Sequence, residues 1–275
     1  MDYIEVTITG FRDLDSEIAM ARLAAMGFES FSEIPDGFSA YIQDDQFDEK
    51  AMHSWLTALQ EEQGVQYHVV KIPRRNWNEE WERAYDPVVV DGKCLVRAPF
   101  HKPADGMLYD IVIEPKMSFG TAHHATTALM IGLMMEEKLT GSAVLDMGCG
   151  TGVLAILASK MGASKVLAVD NDEWAYQNAL ENVEKNGCRS VTVLLGDITA
   201  VALSQFDLIA ANINRNVLLN DIPAYAGLLK PGGRLLMSGF YEEDIPQITE
   251  AAELAGLRHC LTKTMDRWTG IKFIK

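Results

Sequence analysis

The sequence has few cysteines and no long apolar run. Its four cysteines are spread over 275 residues and no Cys-x-x-C pair occurs, a spacing that favours neither a zinc site nor a disulfide framework. We therefore expect reduced cysteines in a cytosolic protein. No segment approaches the ~20 apolar residues of a membrane span, and the first ten residues, MDYIEVTITG, lack the features of a signal peptide. We expect a cytoplasmic protein with no membrane segment.

Positive charge is scarce in the first quarter of the chain. Residues 1–62 carry three basic and fourteen acidic side chains, which is −11 of the net charge of −15. Such a surface repels nucleic acid, so we expect no direct nucleic-acid binding. It also attracts a basic partner and speeds the encounter. The alternative is that the acidic surface only maintains solubility.

Residues 1–72 show the pattern of a small α+β domain. Tyr3–Thr9 alternates apolar and polar residues, as a half-buried strand does. The predicted elements then follow in the order β-α-β-β-α-β, which favours a ferredoxin-like fold. The segment contains no cluster of catalytic residue types. We therefore predict that this domain binds a substrate rather than performing chemistry.

Residues 73–100 are predicted to connect two domains. Trp77, Trp81 and Tyr85 recur every four residues, so they line one face of a short helix. This face is interpreted as packing against a neighbouring domain, with a binding site as the alternative. A hairpin around Asp91-Gly92 is predicted to follow.

A glycine-rich stretch, Ala143–Gly152 (AVLDMGCGTG), organises the rest of the chain. An apolar strand leads into alternating glycines, and helical apolar spacing follows them. This order begins a doubly wound sheet that binds its ligand at the carboxyl ends of the strands. Gly148 and Gly150 are assigned to the cofactor site because a side chain there blocks close approach of a nucleotide. The dinucleotide pattern G-x-G-x-x-G does not fit, because Val153 occupies the third glycine position.

Polar residues follow the next three predicted strands. Asp170 ends the strand KVLAVD, where a carboxylate accepts both hydroxyls of a ribose; a helix cap is the alternative. Asp197 follows the third strand and is assigned to the amino group of an adenine. Asn212 ends the fourth strand, FDLIAAN, and a Pro231-Gly232-Gly233 turn precedes the fifth. These residues predict a nucleotide-type cofactor along one edge of the sheet.

The pair His123-His124 precedes a predicted helix, Thr126–Lys138, whose cap is expected to be a threonine. Adjacent histidines diverge on a helix and no carboxylate lies at a suitable spacing, so no metal site is predicted. The alternative is a loop that lies over the cofactor pocket.

The pattern D-x-G-x-G-x-G that starts at Asp146 resembles motif I of the S-adenosylmethionine-dependent methyltransferases. Together with the strand-end residues, it makes residues 101–275 similar to a class I methyltransferase domain. The resemblance implies an α/β chain with a Rossmann-like seven-stranded sheet after the small α+β domain, and S-adenosylmethionine as cofactor. An NAD-dependent oxidoreductase is the alternative, and a non-catalytic binding protein is the least favoured.

Three further segments narrow the resemblance: WNEEWERAYDP, SFGTAHHATT and ANINRNVL. Together they resemble the ribosomal protein methyltransferase A family, the bacterial methyltransferases of large-subunit ribosomal protein eleven. The resemblance implies that Thr127, Gly148, Asp170 and Asn212 contact the cofactor, and that Phe119 belongs to a loop covering it.

One position departs from this family. The usual F-G-T-G before the histidine is F-G-T-A here, with Ala122 in place of a glycine. We therefore expect a change in the geometry of the covering loop.

The chemistry expected of such a protein needs few catalytic groups. Methyl transfer from a sulfonium is a displacement that depends mainly on proximity and orientation, so no catalytic residue is assigned. Methyltransferases of planar nitrogens end the fourth strand with two prolines, which Asn212-Ile213-Asn214 lacks, and this favours a flexible amine. The predicted substrates are lysine side chains and the N-terminal amine of a basic ribosomal protein. The alternative substrate is another protein or a small molecule. That alternative predicts that deletion of residues 1–66 leaves activity largely intact, whereas the favoured interpretation predicts a large loss.

Overall fold

The protein is described by a computed structural model covering residues 2–11, 15–72, 85–116, 119–202 and 205–275. The chain divides into two compact units, Met1–Ala84 and Tyr85–Lys275. The predicted aromatic stripe falls mostly outside the described residues, since only Tyr85 of its three members is included. The boundaries 1–72, 73–100 and 101–275 stay a prediction.

Among its described residues, the first unit is a four-stranded antiparallel sheet with two helices. Its strand order is β2-β3-β1-β4, which is the order of the predicted ferredoxin-like fold. The bounds of its elements are β1 Tyr3–Thr9, α1 Asp15–Ala25, β2 Ser30–Ile34, β3 Gly37–Gln43, α2 Glu49–Gln63 and β4 Gln66–Ile72.

This unit has its own hydrophobic core. β1 alternates between half-buried and fully buried residues, because successive side chains of a strand point to opposite faces. Val6 and Ile8 pack with Leu23 of α1 and Leu56 of α2, and all four are fully buried. The polar-apolar alternation of the sequence thus becomes one sheet face covered by two helices.

The second unit contains a mixed sheet of seven strands among the described residues, in the order β10-β9-β8-β11-β12-β14-β13. Its strands are β8 Ala143–Met147, β9 Lys165–Asp170, β10 Val191–Leu195, β11 Phe206–Asn212, β12 Leu229–Tyr241, β13 Arg258–Met265 and β14 Trp268–Ile274. Strands β8 to β12 are parallel, and β14 runs antiparallel between β12 and β13. The seven-stranded α/β prediction is confirmed.

Helices cover both faces of this sheet, and a small three-stranded sheet lies within the same unit. The helices are α3 Ala125–Met135, α4 Val153–Lys160, α5 Glu173–Lys185, α6 Arg215–Leu228 and α7 Ile245–Leu254. The small sheet has the order β5-β6-β7, with bounds Val88–Val90, Cys94–Arg97 and Tyr109–Val112. The hairpin predicted at Asp91-Gly92 is therefore present as β5 and β6.

The central strands are apolar on both faces. In β8, Val144 belongs to one core cluster and Leu145 to the other, and Leu208 and Ile209 of β11 divide in the same way. All four are fully buried. A strand covered on both faces needs consecutive apolar residues rather than an alternating pattern, and Val144-Leu145 and the run LIAA of β11 supply them.

Two local predictions differ from the structure. The threonine cap of α3 is wrong: His124 is the cap, and its Nδ1 accepts a hydrogen bond from the Thr126 backbone N–H at 3.3 Å. Thr126 already lies inside the first turn. The predicted Pro231-Gly232-Gly233 turn lies within a longer β12, where the register shifts from Phe206↔Leu229 to Leu208↔Arg234.

Candidate functional site

The glycine turn, Gly148–Gly152, follows β8 and enters α4. Gly148, Gly150 and Gly152 have φ of 69°, 55° and 78°, the left-handed region that favours glycine. The N–H groups of Gly148 and Cys149 both donate to the Val169 carbonyl of β9, at 2.8 and 3.0 Å. The turn is thereby fixed to the neighbouring strand.

The protein's own packing requires two of these glycines. A Cβ at Gly148 would lie 2.1 Å from Cγ2 of Ile213, and one at Gly150 would lie 2.2 Å from the Phe119 carbonyl oxygen. Gly152 differs, because a Cβ there would come no closer than 3.4 Å to any neighbouring atom. The turn is thus pressed between the segment after β11 and the segment that contains Phe119.

Asp170 lies at the carboxyl end of β9 with its carboxylate oriented by backbone donors. Its Oδ2 accepts from the Gly150 N–H at 2.8 Å, and its Oδ1 accepts from the Asp172 N–H at 3.0 Å. Asp172, not Asp170, caps α5 through the Ala175 N–H. Asp170 is therefore tied directly to the glycine turn, and each oxygen has a second lone pair for a further donor.

Asp146 is fully buried beneath the turn. Its Oδ2 accepts a hydrogen bond from the Ala155 N–H at 3.0 Å. This N–H in the first turn of α4 would otherwise lack a partner, because the N-cap residue, Gly152, has no side chain. Burial, with a smaller contribution from the negative charge of Asp170, raises the pKa of Asp146 to about 7, although the Ala155 hydrogen bond acts in the opposite direction. This carboxyl group therefore titrates near neutral pH.

Asn212 lies beside the turn, at the end of β11. The register pairs Ala211 with Met147, so Asn212 and Gly148 follow at the same edge. Asn212 Nδ2 donates to Thr127 Oγ1 of α3 at 3.4 Å. Asn212 Oδ1 is buried and has no hydrogen-bond partner among the described residues, although buried polar atoms are normally paired. The edge of the sheet thus presents an oriented acceptor.

The segment around Phe119 closes over the turn. The Phe119 carbonyl accepts from the Thr151 N–H at 2.9 Å, and the Thr151 hydroxyl donates to the Gly120 carbonyl at 2.7 Å. The Phe119 ring itself is 52% exposed. Ala122 has φ of 66° and is buried, so this segment keeps a glycine-like conformation without a glycine.

Asp197 lies one strand farther from the centre. The backbone carbonyl of Asp170 accepts from the Gly196 N–H at 2.8 Å, which places Asp197 next to the β9 edge. Asp197 is exposed, and Thr199 donates to its Oδ1 through the hydroxyl at 2.6 Å and the backbone N–H at 2.9 Å. These hydrogen bonds lower the pKa of Asp197. Its carboxylate is therefore ionised and partly oriented.

A cavity of about 250 Å³ lies beside Asn212, and we call it the aromatic cavity. Its lining includes Phe119, His124, Asn212, Asn214 and Trp268. Trp268, the first residue of β14, is not among the residues predicted for the site. β14 runs opposite to β12, so its first residue lies at the edge where the parallel strands end. The predicted cofactor residues and a second, aromatic space therefore share this edge.

The two histidines have other roles than metal binding. His123 Nε2 is hydrogen bonded to the Asp86 carbonyl at 2.8 Å, and His124 caps α3. Within the described parts of the chain, no group of three or more histidine, cysteine, aspartate or glutamate side chains is arranged to hold a metal ion. No helix in those parts is long and apolar enough to cross a membrane.

The strand order, with β14 inserted antiparallel between β12 and β13, and the glycine turn at the edge define a class I methyltransferase. The family model described as "Ribosomal protein L11 methyltransferase (PrmA)" matches residues 22–275. The chain belongs to this family.

Curated relatives extend over almost the whole chain. A ribosomal protein L11 methyltransferase of Phocaeicola vulgatus is 41% identical over 279 residues, which are 100% of this chain and 99% of the relative. One of Porphyromonas gingivalis is 44% identical over 264 residues, 94% of this chain and 90% of the relative. The similarity therefore includes both units.

Solved structures agree with the fold. The ribosomal protein L11 methylase of Lactobacillus delbrueckii subsp. bulgaricus has a TM-score of 0.64 and 28% identity, covering 69% of this chain and 98% of its own. A methyltransferase of Pyrococcus furiosus, with a TM-score of 0.51 and 20% identity, covers 60% of this chain and 89% of its own. The latter shows the fold alone.

Proposed function

We propose that this chain transfers methyl groups from S-adenosylmethionine to amine nitrogens of ribosomal protein L11, namely lysine side chains and the N-terminal α-amine. The family match over residues 22–275 carries this proposal. The acidic first unit supports it, because a negative surface attracts a basic ribosomal protein.

The edge of the sheet fits the cofactor. The buried Asn212 Oδ1 at this edge lacks a partner among the described residues, and each oxygen of the Asp170 carboxylate can accept a further hydrogen bond. In the proposed site, the Asp170 carboxylate would accept hydrogen bonds from the ribose hydroxyls, and the Asp197 carboxylate would accept one from the adenine amino group. Gly148, Gly150, Thr127 and Asn212 line the remainder, and Phe119 covers it. The bound cofactor supplies a methyl group that its sulfonium already activates.

The side chains of this chain then need only hold and desolvate the amine. An amine is a nucleophile only without its proton, and a partly apolar cavity lowers the pKa of an amine because burial disfavours the charged form. Asn212 Oδ1 offers an acceptor that orients the nitrogen. No general base is assigned, since water removes a proton from an amine of lowered pKa.

The proposal is tested by incubating the protein with labelled S-adenosylmethionine and purified ribosomal protein L11. We expect label on L11, located by mass spectrometry on lysines or the N-terminus. Label found only on small molecules or on RNA contradicts the proposal.

Matched variants test the site. Asn212→Ala removes the unpaired oxygen and is expected to lower methyl transfer about 10- to 100-fold, because a lost hydrogen bond to a charged group is worth roughly 1.5–3 kcal/mol. Asn220→Ala, at an exposed position on α6, serves as the control and retains wild-type activity. Equal activities of the two variants would show that Asn212 does not contribute to the site.

A further inference from the structure

The position of Trp268 is fixed by a tight hairpin. β13 ends at Met265, β14 begins at Trp268, and these two residues pair. The residues between them, Asp266 and Arg267, have φ of 50° and 67°, which is the left-handed pair of a type I′ turn. On its other side, Trp268 pairs with Tyr241 of β12. Backbone pairing on both sides therefore holds this tryptophan.

The indole is also held by packing. Its ring centroid is 4.1 Å from that of Tyr241, with an interplanar angle of 32°. His124 meets it edge-on at 4.7 Å, and Phe119 meets His124 edge-on at 5.2 Å. Three of these rings, those of Trp268, His124 and Phe119, line the aromatic cavity. A small space lined by several aromatic rings is typical of sites that bind methylated ammonium groups.

The polar groups of the aromatic cavity are suited to the same ligand. Among the described residues that line it, none carries a carboxylate. A cation there is met by aromatic rings and by the carboxamide side chains of Asn212 and Asn214, and not by a carboxylate. Ring faces favour weakly hydrated cations, and each added methyl group makes an ammonium less hydrated. The cavity is therefore more complementary to a methylated amine than to an unmethylated one.

We propose that Trp268 is a specificity-determining residue, whose indole, together with the His124 and Phe119 rings, favours amines that already carry a methyl group. This inference rests on the proposed amine methylation. Before each transfer the ammonium gives a proton to water. The nitrogen lone pair then forms the new N–CH₃ bond as the S–CH₃ bond breaks, and S-adenosylhomocysteine is the leaving group. The three aromatic rings then retain the methylated amine for a second transfer.

The test compares two substitutions at one position. Trp268→Phe keeps an aromatic ring, whereas Trp268→Leu fills the space without a π face. With L11 as substrate, the methylation states of each site are followed over time by intact-protein and peptide mass spectrometry. For Trp268→Leu we expect transfers to monomethylated sites to slow about tenfold more than the first transfer does. Trp268→Phe is expected to restore most of the later transfers.

A second measurement uses a small quaternary ammonium ion as the probe. Tetramethylammonium chloride is expected to inhibit the wild-type enzyme more than sodium chloride at equal ionic strength, and to lose this excess inhibition with Trp268→Leu. Calorimetric titration with S-adenosylmethionine and thermal melting check that each variant is folded and binds the cofactor.

The outcomes are separable. A wild-type protein that does not methylate L11 refutes the proposed function. An active wild type whose Trp268→Leu variant shows unchanged rates at every methylation state and unchanged inhibition by tetramethylammonium overturns the role of Trp268. An equal slowing of the first and later transfers assigns Trp268 to general positioning and also overturns the inference.

Discussion

Gly150 and Gly152 share a backbone conformation but differ in their surroundings. An alanine at either position has the left-handed strain, which costs roughly 1–2 kcal/mol. Only Gly150→Ala also meets the Phe119 carbonyl, and that carbonyl accepts the Thr151 N–H. The glycine turn thus offers a matched pair of positions.

We predict that Gly150→Ala lowers the free energy of unfolding by more than about 2 kcal/mol, and weakens S-adenosylmethionine binding because it displaces the Phe119 segment. Gly152→Ala is expected to cost only about 1 kcal/mol. Chemical denaturation and calorimetric titration measure the two effects. Equal losses in the two variants would show that backbone strain, rather than the collision, makes glycine necessary.

The buried Asp146 predicts a pH dependence of stability. Its folded pKa of about 7 exceeds the value of about 3.9 expected in the unfolded chain. Between these values the folded state binds more protons than the unfolded state, so stability falls as pH rises from about 4 to about 7 and then levels off. The full effect is on the order of 4 kcal/mol.

The variant Asp146→Asn removes this titration and keeps an oxygen for the Ala155 N–H. We expect the difference in unfolding free energy between variant and wild type to change by a few kcal/mol between pH 5 and pH 8, in favour of the variant at high pH. Urea denaturation at both values measures it. A difference that is independent of pH would show that Asp146 is ionised throughout this range.

At the scale of elements, the β13–β14 hairpin uses residues that are uncommon in its turn. Asp266 and Arg267 adopt left-handed φ, and Asn-Gly is the preferred pair in a type I′ turn. The double substitution Asp266→Asn, Arg267→Gly is expected to stabilise the protein by about 1 kcal/mol and to leave methyl transfer unchanged, because Trp268 keeps its register. Thermal melting and the L11 assay check both. Lower stability would show that the Arg267–Glu243 ion pair, 3.0 Å long, outweighs the gain.

The whole molecule combines two separate hydrophobic cores with uneven charge. The core of the first unit includes Leu23 and Leu56, and neither belongs to the clusters of the second unit. Residues 1–62 hold most of the net negative charge. We propose that the first unit recruits L11 electrostatically, whereas the second binds the cofactor.

This division predicts different responses to salt. The KM for L11 is expected to rise severalfold between low ionic strength and ~0.5 M salt, since exposed charges are screened, while affinity for S-adenosylmethionine changes little. A chain of residues 85–275 is expected to bind the cofactor and to methylate L11 poorly and independently of salt. Steady-state kinetics and titration check these outcomes. Full activity of residues 85–275 toward L11 would show that the first unit is not needed to select the substrate.

Local sequence by itself determined the elements and the order in which the site residues follow them. Apolar runs predicted β8 and β11, because strands buried on both faces need such runs. The alternation of apolar and polar residues in β1 predicted a half-buried strand. Asp170 and Asn212 were found because they end such strands. The predicted threonine cap of α3 was wrong, because His124, in an extended conformation, occupies the N-cap position.

Only the tertiary structure decided which distant residues meet. Sequence spacing does not indicate that Ile213 and the Phe119 carbonyl pack against the glycine turn. It also does not indicate that the Asp146 carboxylate accepts a hydrogen bond from the Ala155 N–H in the first turn of α4. Trp268 reaches the site because β14 enters the sheet antiparallel, and that choice depends on long-range pairing. Periodicity reports the faces of an element, whereas contacts between elements depend on how the whole chain packs.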